Sequence, residues 1–220
     1  MSENEIKVKK DSQNRESENW KILLELIDES VKDKREEFYP SKELGIEIWK
    51  DIRSLPKEIS KLKNIKHLMI YGSNLERLPQ EIGELKSLEK FTPYTSYGLR
   101  WFPYEIIQCE NLKESTVSTR ALFGNKKNKK PFPPNLEDNP VEYFDGNKCS
   151  ICKRKETEIK FEQYWISTQV GTDILPLLAI ICSEECFSKL RKPHQDYFPS
   201  PHKGGGDLKK KKTKPNNGYN

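Results

Sequence analysis

Long apolar runs are the first thing missing from this sequence. Nothing approaches the roughly 18 consecutive apolar residues of a membrane span, and the longest such run, Ile174 to Cys182, is strand-sized. Met1 to Asp11 are polar and alternate in charge, so no secretory signal is legible there. Hydrophobic residues are 34% of the chain against 33% charged, which is little for one large core and suits a thin domain flanked by polar segments. A phosphate-binding loop is absent too, because Gly204-Gly205-Gly206 runs into Asp207 and not into a Lys-Ser step opening a helix. Histidine is scarce, and neither His194 nor His202 has the His or Asn companion that a nuclease centre would need. With no acid, base and open metal position to assemble, the chain is expected to be non-enzymatic. It reads as cytoplasmic, where thiols stay free and close cysteines point to metal rather than disulfides.

The net charge of +5 has a local origin, since Lys209, Lys210, Lys211, Lys212 and Lys214 supply five positive charges near the C-terminus. Residues 196–220 are therefore expected to form a disordered basic tail, and the apolar-poor residues 1–16 to be disordered as well. Between these ends Trp20, Leu23, Leu24, Ile27 and Val31 fall at helical spacing, with Ser17 or Asn19 as N-cap. Residues 17–40 should hold an amphipathic helix that caps the segment after it.

Residues 41–123 carry a period. Leu55-Pro56 returns as Leu78-Pro79 and as Phe102-Pro103, at spacings of 23 and 24 residues. The middle unit, Ile65-x-x-Leu68-x-Ile70-x-x-Ser73-x-Leu75-x-x-Leu78-Pro79-x-x-Ile82-x-x-Leu85, describes a short strand, a turn and a compact return. Ile46-x-Ile48, Leu68-x-Ile70, Leu88-x-x-Phe91 and Leu112-x-x-Ser115-x-Val117 then give four expected strands, with Pro93 costing the third a ladder donor. Cys109 aligns with Leu62 and Leu85 and is expected to be a buried small apolar residue.

This block resembles the intracellular type of leucine-rich repeat, from about Leu44 to Leu122. The resemblance implies an α/β repeat fold, a short leucine-rich repeat solenoid with a parallel sheet on its concave side, and protein binding rather than catalysis. The family's Asn position is held here by Asp51, Ser73, Ser96 and Arg120, of which the serines and the aspartate can still bond the turn. Strand alternation turns Trp49, Met69, Tyr71, Thr92, Tyr94 and Ser118 to the concave face as the expected partner-binding surface. Trp49, Tyr71 and Tyr94 would form a row with steps of roughly 5 Å. The competing reading is that the N-terminal helix or the C-terminal part covers that row.

Residues 124–140 mix Lys126, Lys127, Lys129 and Lys130 with Pro131, Pro133, Pro134 and Pro140, and read as a linker. Beyond it, in residues 141–195, Cys149-Ser-Ile-Cys152 and Cys182-Ser-Glu-Glu-Cys186 present four thiols across 29 intervening residues. Four thiolates suit a closed, structural zinc site. Ile159 to Ser167 and Ile174 to Ile181 are expected strands of a hairpin between the pairs, with a helix opening at the second pair. Knuckle, hairpin and helix make a treble clef, and Cys-Ser-Glu-Glu-Cys-Phe is similar to the second half of zinc fingers of the TRASH or YHS kind. The expected fold is thus a short solenoid with a small α+β zinc-binding module. The expected function is an adaptor or regulator that binds a protein, an inhibitor of a bacterial toxin or effector being one such role. The alternative is nucleic-acid binding through the zinc module and the lysine runs.

Overall fold

The computed structural model describes residues 10–117, 142–155, 161–194 and 198–203. Helix α1 (Glu18–Lys32) begins where Ser17 accepts a hydrogen bond from the Trp20 amide at 3.2 Å, with Glu18 in the first turn and Lys32 in the last. Both charges complement the helix dipole. It buries Trp20, Leu23, Leu26 and Ile27, packs on the 3-10 helix Lys57–Lys61, and leaves Val31 exposed.

Four short strands then form a parallel sheet in the order β1 (Glu37–Phe38), β2 (His67–Met69), β3 (Lys90–Thr92) and β5 (Glu114–Ser115). The sequence period survives as register, with His67 opposite Lys90 and Leu68 opposite Phe91. Strand β3 stops at Thr92, immediately before Pro93, which has no N–H to continue the ladder. Ser73 and Ser96 take the turn role: Ser73 Oγ donates to Ser96 Oγ at 2.7 Å, and Ser96 Oγ to the Ile70 carbonyl at 2.8 Å. Between strands the chain returns through 3-10 helices Lys57–Lys61, Gln80–Glu84 and Tyr104–Gln108.

The first expected strand is a helix. After the short helix α2 (Pro40–Glu43), Ile46–Lys50 coils as α3, leaving Ile46 exposed while Trp49 and Ile52 are buried. Within α3 only Trp49 is buried, so Ile46 and Ile48 do not form the inward-facing pair that strand alternation requires. The edge strand is Glu37–Phe38, so the sheet begins earlier than Ile46.

The second sheet has three strands. Strand β4 (Phe102–Pro103) runs parallel to β7 (Asp173–Ile181), which is antiparallel to β6 (Glu162–Val170) from Glu162↔Ile181 to Val170↔Asp173. Pro176 is tolerated because β4 pairs only with Leu177 and Leu178, leaving that position outside the β4 ladder. Helix α4 (Glu184–Ser188) comes next in the chain.

This architecture corrects the expected α/β repeat, a leucine-rich repeat solenoid with a separate α+β module. The fold is α/β with mixed parallel and antiparallel sheets and few helices, and the described residues contain no solenoid. The physical reason lies at the third Leu-Pro step. There Phe102–Pro103 pairs with β7, so the C-terminal hairpin joins the fold at that step as part of a second, mixed sheet. A single apolar cluster consequently runs from Trp20 to Phe198, tied by Phe91 against Phe102 at 5.7 Å and Trp101 against Trp165 at 6.1 Å.

Parts of both expected disordered ends are placed against the fold. Asp11 accepts from Ser54 Oγ at 3.0 Å and Gln13 Oε1 from the Arg53 amide at 2.6 Å, fixing residues 10–16 against the fold. Phe198 is buried and His202 bridges Trp165 within the expected tail. The expectations for residues 1–9, the linker 124–140 and the lysine-rich residues 204–220 lie outside the described residues. No helix among the described residues is long and apolar enough to cross a membrane.

Candidate metal centre

Each cysteine pair is placed by its own local structure. In the first, the Cys149 amide donates to the Arg154 carbonyl at 2.8 Å and the Lys153 amide returns to the Cys149 carbonyl at 3.0 Å. Lys153 closes this knuckle with φ at +63°, a left-handed conformation. Ser150 between the ligands pins the knuckle to β7, its amide reaching the Ile180 carbonyl at 2.7 Å and its Oγ accepting from the Ile180 amide at 3.0 Å. In the second pair, Cys182 directly follows β7 and Cys186 lies in the first turn of α4, where Ser183 caps the Cys186 amide at 3.2 Å.

These elements bring Cys149, Cys152, Cys182 and Cys186 together, with all four sulfurs within 4.8 Å of one another. Cys152 and Cys182 Sγ are 3.5 Å apart, and Cys182 and Cys186 Sγ 3.7 Å. Tetrahedral sulfur ligands at about 2.3 Å from a zinc ion stand about 3.8 Å from each other. All four are free thiols, with Cys149 and Cys186 buried and Cys152 exposed. The four cysteines can therefore hold a metal ion. A hydrogen bond from the Arg154 backbone is the main cause that lowers the Cys152 thiol to about 7. Desolvation, then the neighbouring thiols, pushes Cys182 up to about 12. Protons are thus held unequally within the cluster, and a bound cation would replace them.

The remaining sequence candidates stand elsewhere. His202 pairs with Trp165 on β6, and the His194 amide donates to Ser167 at 2.7 Å, so neither histidine joins the cysteine group. Cys109 is buried, donates to the Ile82 carbonyl at 3.2 Å and has its thiol pushed up to about 12 by burial.

Sequence reasoning missed the platform beneath the centre. Gln80 and Glu105 occupy ordinary positions after the Leu-Pro and Phe-Pro steps, yet both are buried. Gln80 Nε2 donates to Glu105 Oε1 and to the Lys148 carbonyl, both at 2.8 Å, while its Oε1 accepts from the Lys148 amide at 3.0 Å. Lys153 Nζ approaches Glu105 Oε1 at 3.5 Å. Burial raises the Glu105 pKa, against the opposing pull of Lys153. The platform's close fit depends on Gly83, where a Cβ would meet the Glu105 carbonyl oxygen at 2.5 Å. Tyr104, next along, accepts from the Arg191 amide at 2.7 Å, just past α4. The one sequence signal was the change at equivalent positions from Lys57 to Gln80 to Tyr104, solvent-friendly to buried.

Of the expected partner surface, Tyr71 and Tyr94 are exposed at 37% and 54%, with Met69 and Thr92 partly buried beside them in register. Trp49 does not belong to the row. It is wholly buried and donates from Nε1 to the Tyr71 carbonyl at 3.2 Å, a consequence of lying on a helix. Tyr39, overlooked because the edge strand was placed too late, packs against Tyr71 with ring centroids 5.2 Å apart. Ser118 lies outside the described residues. No family model matches this chain, and no curated protein matches it.

Proposed function

We propose that the chain is a non-enzymatic regulator or adaptor that binds another protein through the exposed side of its parallel sheet, with zinc as a structural ion. The observation that carries the binding half is the pair Tyr71 and Tyr94, offered to solvent beside Met69 and Thr92. Tyrosines of this kind are frequent interface anchors. The adjoining row Glu37, His67, Lys90 and Glu114 mixes two acidic residues with a basic one and a histidine, which suits a protein surface better than a polyanion. Surface lysines among the described residues are commonly neutralised, as in Lys57–Asp145, Lys61–Asp28 and Lys66–Glu36, so nucleic-acid binding gains no specific support.

Zinc is the reading favoured by four thiols at tetrahedral spacing, and four thiolates leave such an ion no open position for catalysis. The order of knuckle, hairpin and short helix supports a treble-clef-like module similar to the TRASH or YHS kind. Free thiols suit a reducing, cytoplasmic setting. Two measurements test the proposal. Purified protein should carry about one zinc, lost in Cys152→Ser and Cys186→Ser; wild type without metal at neutral pH overturns the zinc half. Affinity capture should recover a protein whose binding falls at least about tenfold in Tyr71→Ala with Tyr94→Ala; equal recovery of every partner overturns the other half.

A further inference from the structure

Burying a carboxylate is expensive unless it is well partnered, yet Glu105 is only 1% exposed while Glu58 and Glu81, at the equivalent positions, are less deeply buried. Its partners show what it holds. One carboxamide, Gln80, completes both backbone hydrogen bonds of Lys148, the residue immediately before the ligand Cys149. Glu105 fixes the orientation of that carboxamide by accepting its second N–H, and meets Lys153, the residue immediately after the ligand Cys152. One buried pair from another part of the chain therefore holds the start of the first ligand loop through two backbone hydrogen bonds and touches its end through the looser, half-exposed Lys153. Lys148 also pairs with Glu81 through its side chain.

We infer that Gln80 and Glu105 are positioning residues for the metal centre, holding the Cys149–Cys152 loop in ligand geometry before an ion arrives. The inference rests on the reading of the four cysteines as a metal site. Groups behind the ligands that orient them are worth about 10–100-fold in metal affinity, because an unanchored loop must be ordered on binding.

The test uses the full chain and Co2+ or Zn2+ alone. Gln80→Met keeps the side chain's length and removes its hydrogen bonds. It should bind metal about 10–100-fold more weakly in competition with a chromophoric chelator, and should alter the thiolate-to-cobalt and ligand-field bands. Leu62→Ala, buried on the α1 side, should lower stability but keep wild-type affinity and spectrum. Wild-type affinity and bands in Gln80→Met overturn the inference, as does an equal affinity loss in Leu62→Ala. Should Gln80→Met fail to fold, Glu105→Gln decides: it keeps an acceptor for Gln80 but not the charge for Lys153. A several-fold loss with shifted bands supports the inference, and unchanged binding overturns it. Wild type that takes up neither ion overturns the metal reading itself, and this inference with it.

Discussion

At the scale of single residues, His202 shows how burial alone sets a property. Burial pushes its pKa from 6.5 down to about 4, and its ring lies 4.7 Å from that of Phe198. The folded chain thus holds the ring neutral where the unfolded chain would protonate it. A lowered folded pKa contributes stability that is complete above 6.5 and is lost as pH falls toward about 4. In His202→Gln that sensitivity disappears. The stability gap between wild type and variant, from urea midpoints between about pH 4 and pH 8, should be constant above about 6.5 and shift against wild type below it. Thiol titration is common to both proteins and cancels in the difference; a gap independent of pH would contradict the assignment. Sequence alone shows only that His202 lacks a nuclease companion, because its β-bridge to Trp165 joins residues far apart in the chain.

At the scale of elements, legibility followed locality. The α1 helix, the parallel strands near Leu68 and Phe91 and the four cysteines were readable because their signals are spacing within a few residues. What escaped depends on remote partners. Ile46-x-Ile48 satisfies strand alternation as well as it satisfies a helix, and burial of Trp49 decides for the helix. The hairpin is expected at Ile159 to Ser167 and Ile174 to Ile181; Ile159 and Lys160 lie outside the described residues, and β6 extends past Ser167 to Val170, where the hairpin tip docks on β5. There Thr172 Oγ1 donates to the Ser115 carbonyl at 2.8 Å and Ser115 Oγ to Asp173 Oδ2 at 2.8 Å. Gly171 permits both, with φ at +57° and a position where a Cβ would meet Glu114 C and Ser115 N at 3.0 Å. Gly171→Ala should therefore cost about 2 kcal/mol, from the left-handed backbone and the contact together. Chemical denaturation would show it as a lower midpoint with an unchanged slope. A loss below about 0.5 kcal/mol, the range of an ordinary surface change, would mean that the tip does not bear on β5.

For the whole molecule, the question is whether a metal ion held by the four cysteines would stabilise only its neighbourhood. The structure ties that neighbourhood to residues 10–117 through β4 against β7, Trp101 against Trp165, the hairpin tip on Ser115, Tyr104 with Arg191 and Gln80 with Lys148. An ion bound by the folded state alone adds about 4 kcal/mol when present at about a thousand times its dissociation constant. Because the apolar cluster is continuous, that contribution should be felt as far as the parallel sheet. Chelation should accordingly lower the unfolding temperature in one transition. Amide exchange at Leu68 and Phe91 in the parallel sheet should quicken together with exchange at Leu177 in β7. Two transitions, or Leu68 protection untouched by chelation while Leu177 is lost, would show that the C-terminal part folds on its own account. The shared result would mean that an ion held by the four cysteines also stabilises the sheet bearing Tyr71 and Tyr94, the face proposed above for a partner.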